Sequence, residues 1–179
     1  MLYAFGFEQV GVVVSDLYFV DPRPARGQEG PERGVRLELR MLDHGDLKGS
    51  IYSARPIEVA EPIWRADLLE AAAGPPGSLD RVHHHPAFNG WEPGHRVFDR
   101  QLSADPVSWV GDQLSDLPAL LERAGVRDDG SFAADAVSLR DRVPEIMSAL
   151  RGLLDDVKAG KLALAPVGDA PESARISWL

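Results

Sequence analysis

The chain has 179 residues, near the length of one domain, with 44% hydrophobic and 26% charged residues, the balance of a globular protein rather than a disordered or fibrous one. It has no cysteine, which excludes disulfides, thiolate metal sites and cysteine nucleophiles together. A net charge of −9 without any basic tract argues against nucleic acid or an anionic membrane as a partner.

The acidity is evenly spread: residues 1–103 carry 11 basic and 15 acidic side chains, and residues 104–179 carry 8 and 13. No apolar run approaches the roughly 18 residues of a membrane span, and the first eight residues lack the basic region of a secretory leader. The expectation is a soluble, cytoplasmic protein. Arginine outnumbers lysine 16 to 3; its planar fork suits bidentate pairing with carboxylates, so buried arginine-acid pairs are expected.

In chain order, Val10-Gly11-Val12-Val13-Val14 and Leu17-Tyr18-Phe19-Val20 read as extended, split by Ser15-Asp16, giving one bulged strand or a tight hairpin. Asp21-Pro22-Arg23-Pro24 stops it, and the polar, Gly/Pro-rich residues 25–34 read as a surface loop. Val35-Arg36-Leu37-Glu38-Leu39-Arg40-Met41 alternates apolar and charged residues, so one face packs and the other meets water or a partner. Asp43-His44-Gly45-Asp46 is turn chemistry. Short strands are expected at residues 50–54 and 57–59, each ended by a proline, Pro56 and Pro62. Residues 63–73 suit a strand or a helix, residues 80–85 and 95–102 look extended, and residues 86–94 form a loop too long for a tight hairpin.

Helical spacing begins at Asp105, a cap followed by Pro106 at the first helical position. It restarts at Asp116-Leu117-Pro118 and ends at Gly125. A further block follows Ser131, restarts at Pro144 and carries Ile146, Leu150, Leu153, Leu154 and Val157 as one stripe to Gly160. Residues 162–164 and 175–178 are extended or loose, with Trp178 expected to dock the tail. Strands are segregated from helices, which predicts an α+β fold. A mostly antiparallel β-sheet comes from the N-terminal ~100 residues, with C-terminal helices packed on one face. One domain, 1–179, is expected: 1–103 mainly β, 104–160 mainly helical, 161–179 a tail.

Residues 63–99 hold four of the five histidines and two of the four tryptophans. On an extended segment alternate side chains share a face, so His83 and His85 point one way with Arg81, while Val82 and His84 point the other. Two imidazoles on one face are a chelate for a divalent metal such as Zn, Mn or Fe, which needs at least one more nitrogen or oxygen ligand. His95 is the expected third ligand, with Glu92 or Asp99 as a fourth ligand or base; Asp67 and Glu70 are also near in sequence. Gly77, five intervening residues, then His83 and His85 resemble the opening of the first cupin motif, which implies a metal site on a β-sheet. The glutamate of that motif has no counterpart at the family spacing, since Glu92 comes too late and Asp99 stands where the closing glycine belongs.

No Gly-x-Ser-x-Gly elbow and no phosphate-binding glycine loop occurs. The functions that follow are a metal-assisted enzyme or small-molecule binder, in which Arg81 and Arg96 orient an anionic substrate and Trp91 and Trp64 wall the site. Two others remain open. One is a non-enzymatic acidic protein-binding factor of immunity or adaptor type, working through the charged face of residues 35–41 or the loop at 25–34. The other is a structural subunit of a homo-oligomer.

Overall fold

The computed structural model describes residues 1–166. Five strands form one antiparallel sheet in the order in which they occur: β1 (Leu2–Gly6), β2 (Val10–Val20), β3 (Pro31–His44), β4 (Ile57–Ala71) and β5 (His83–His85). A two-stranded ribbon, β6 (Phe88–Asn89) with β7 (Glu92–Pro93), follows. The helices then come together: α1 (Arg100–Ala104), α2 (Pro106–Ser115), α3 (Leu117–Arg123) and α4 (Ala133–Lys158). This is the α+β arrangement expected from the segregation of strand and helix patterns.

One sheet face builds the core. Val12 and Val14 of β2, Leu37 and Leu39 of β3 and Trp64, Ala66 and Leu68 of β4 join Val110 and Leu114 of α2, Leu120 of α3 and Ile146, Leu150 and Leu153 of α4 in a single buried cluster. Helix α4 packs across β2 and β3. Asp135, fully buried in its first turn, accepts the backbone N–H groups of Glu8, Gln9 and Val10 at 2.8–2.9 Å and so ties the helix to the β1–β2 turn.

The opposite face carries charged side chains, several of them buried. Register places Arg36 against Asp67 and Glu38 against Arg65 across β3 and β4, each a pair of opposite charges. Glu38, Arg40 and Asp67 are buried, because the loop at residues 86–99 folds over them. Phe88 lies over the Arg65 guanidinium and Trp91 over that of Arg40, both at 5.0 Å, and Arg96 ties this loop to Gln28 and Asp21 of the β2–β3 loop.

Several local expectations are corrected. Of the two readings of residues 10–20, the single strand holds, without a bulge: Ser15 and Asp16 lie inside β2, both buried, with the Asp16 carboxylate accepting the Ala163 N–H at 2.8 Å, and the hairpin turn falls between Gly6 and Val10. Residues 31–34 belong to β3 rather than to a loop, and Gly34 passes so close to β4 that a Cβ there would lie 2.1 Å from the Leu68 carbonyl oxygen. Residues 50–54 form a turn with Ile51 and Tyr52 exposed, not a strand. Pro62 does not end a strand: β4 runs through it at a register irregularity opposite Arg40. Pro144 likewise sits inside a continuous α4. Residues 95–102 are extended only around the single bridge Val97–His84, after which Asp99 caps α1. The expected docking of Trp178 lies outside the described residues.

Candidate metal centre

Strand β5 pairs with β4 in the register Asp67–His83 and Arg65–His85, with Ala66 opposite His84. Alternation sends His83 and His85 to the charged face beside Asp67, and turns His84 to the helix side, where it meets Trp64 and Trp109. Asp67, His83 and His85 are all buried, and one ligand atom from each lies within 4.8 Å of the others.

The hydrogen bonds fix which ring nitrogens converge. His83 Nδ1 meets the Arg81 carbonyl oxygen at 2.9 Å and His85 Nδ1 meets the Gly94 carbonyl oxygen at 2.8 Å. A carbonyl only accepts, so each Nδ1 carries the hydrogen and, in the neutral ring, each Nε2 presents a lone pair. Those two Nε2 atoms lie 3.4 and 3.7 Å from the same oxygen, Asp67 Oδ2. Lone pairs facing a carboxylate oxygen repel unless a proton or a cation lies between them. Ligands about 2.1 Å from a shared ion stand about 3.0 Å apart at octahedral angles and about 3.4 Å apart at tetrahedral ones, close to the observed separations.

Supporting contacts hold each of the three side chains. Arg36 Nε and Nη2 donate to Asp67 Oδ1 and Oδ2 at 2.7 and 3.2 Å. Burial pushes the Asp67 carboxyl up, but the charge of the Arg36 guanidinium and its two hydrogen bonds outweigh it and hold the group well below the usual carboxylate range. Burial lowers His85 to about 4, which keeps its ring neutral at pH 7 with Nε2 available as a ligand. Phe98 and Phe88 close the site, 5.6 Å from the His83 ring and 6.2 Å from the His85 ring between centroids. Glu32, buried beside this group, accepts from Arg81 through Oε1 at 3.2 Å, while its Oε2 is buried with no partner among the described residues; desolvation raises this carboxyl.

Of the residues singled out from sequence, the fold brings His83 and His85 together with Asp67, which stands in the place expected of His95. His95 and Glu92 are exposed, Glu92 within β7. Asp99 accepts the N–H groups of Gln101 and Leu102 as the N-cap of α1. Arg81 pairs with Glu32, and Arg96 with Asp21 at 3.2 Å and Glu32 at 3.9 Å. Trp64 is buried on the helix side of the sheet, whereas Trp91 covers the charged side. Asp67 carried one readable signal, as a charged member, with Arg65, of an alternating apolar-charged run that mirrors residues 35–41. Arg36 carried the same signal within residues 35–41, but its pairing with Asp67 comes from strand register, and Glu32 gave no signal.

Comparison with family models, with curated proteins and with solved structures finds no match to this chain.

Proposed function

We propose that the protein binds one divalent transition-metal ion through Asp67, His83 and His85 and uses it on a small molecule. The reading is carried by two carbonyl-fixed imidazoles directing Nε2 lone pairs at one buried carboxylate oxygen. Two histidines and one carboxylate suit Zn, Mn or Fe(II), and three protein ligands leave positions for water or substrate. Such an ion supplies Lewis acidity and a bound water of lowered pKa, which supports hydrolysis or isomerisation near neutral pH. Arg36 orients Asp67, and the carbonyls of Arg81 and Gly94 orient the imidazoles, the kind of outer contact that tunes metal ligands.

The test is elemental analysis of untagged protein, joined to thermal unfolding after chelation and metal addition. About one equivalent of metal and a rise in Tm on adding it are expected, with both lost in Asp67→Ala and retained in His95→Ala. Less than a tenth of an equivalent, with no stabilisation by Zn, Mn or Fe(II), overturns the reading and leaves an Arg36–Asp67–His83 ion network in its place.

A further inference from the structure

On the same sheet face, beyond Arg36 from Asp67, lies a half-open cavity of ≈ 320 Å³. Its walls are apolar: Leu2 and Ala4 of β1, Val13 of β2, Val59 of β4 and Trp91 of the covering loop. Leu2, Val59 and Trp91 are also among the exposed large apolar side chains, so the cavity keeps in water a surface that an apolar guest would cover. Its polar lining is Ser15, Arg36, Glu38 and Arg40.

Both arginines have donors to spare. Arg40 gives Nε to the Ala60 carbonyl at 2.8 Å and Nη1 to Glu38 at 2.8 Å; Arg36 gives Nε and Nη2 to Asp67. Among the described residues no acceptor meets Arg40 Nη2 or Arg36 Nη1. Glu38, between the two along β3, is spent on Arg40 and Arg65. Three arginines thus face two carboxylates here, an excess of positive charge within a chain of net charge −9.

We infer that this cavity binds a small amphipathic monoanion, its carboxylate-like head on Arg36 Nη1 and Arg40 Nη2 and its apolar body between Ala4, Val13 and Val59 under Trp91. The volume equals that of about ten water molecules, enough for about ten non-hydrogen atoms. Arg36 links the two sites, because the same guanidinium that meets the head group clamps Asp67. The binding rests on the cavity and its arginines; that the bound anion is the substrate of the metal centre rests on the reading above.

The probes are octanoate and octan-1-ol, titrated by NMR into chelator-treated and metal-loaded protein. Octanoate is expected to bind at least tenfold more tightly than the alcohol. Ala4→Phe, which fills the cavity from the β1 side, should weaken octanoate at least tenfold with metal uptake unchanged, and Arg40→Gln should cut the preference for octanoate at least threefold. Equal affinity for the two probes, binding indifferent to Ala4→Phe, or a self-associated chain that octanoate does not dissociate would each overturn the inference. Octanoate bound by protein that takes up no metal removes the metal reading and leaves this site; metal bound without octanoate does the reverse.

Discussion

His85 shows how a single buried imidazole sets both chemistry and stability. Its ring stays neutral in the fold down to about 4, against 6.5 for the free side chain, so between those values the unfolded chain binds a proton that the folded chain refuses. Stability contributed by this residue is therefore present above pH 6.5 and lost as the pH falls toward 4, on the order of 3 kcal/mol in the absence of metal. Urea unfolding of chelator-treated protein at pH 7, 5.5 and 4.5 should show that decline, and His85→Asn, which can still donate to the Gly94 carbonyl but cannot titrate, should flatten it. The placement of His83 and His85 on one face was readable because a strand alternates with period two wherever it pairs. The third member of the group was harder to single out. His95 is closer in sequence, but the chain between it and His85 is spent on the β6–β7 ribbon and on delivering the Gly94 carbonyl to His85 Nδ1, whereas Asp67 arrives by cross-strand register, which local pattern does not encode.

The elements were legible where their signals were side-chain periodicity and caps, and obscure where prolines were read as stops. Asp105 and Asp116 cap α2 and α3 where their prolines announced them, and the Ile146-to-Val157 stripe packs as its spacing requires. Pro62 and Pro144 mislead because tertiary packing overrides them: the first is absorbed at an irregular register in β4, the second within a 26-residue helix anchored in its first turn and packed along its apolar stripe. That anchoring depends on Asp135, whose carboxylate satisfies three backbone donors of the β1–β2 turn. Replacing it with alanine strands those groups and should cost about 3 kcal/mol, read as a lower denaturation midpoint. Asp135→Asn, retaining one acceptor oxygen, should lose less. A loss below about 1 kcal/mol in Asp135→Ala would show that the turn holds without the helix.

At the scale of the molecule, the sheet separates two interiors. The helix side is apolar, and the other side is a ladder of paired charges roofed by loops, with Phe88, Trp91 and Phe98 as the roof. The alternating pattern of residues 35–41 foretold a charged face but not its covering, since the residues that cover it lie some 50 positions further on. Burying arginines and carboxylates together is costly unless they are paired, and here they are paired around one place where two imidazoles and a carboxylate are left facing each other. The most direct test of that claim is X-ray absorption at the metal edge of the loaded, untagged protein. The account predicts a shell of nitrogen and oxygen ligands at about 2.0–2.2 Å containing two imidazoles, reduced to one in His83→Ala. A shell without imidazole, or one unchanged by His83→Ala, would contradict it.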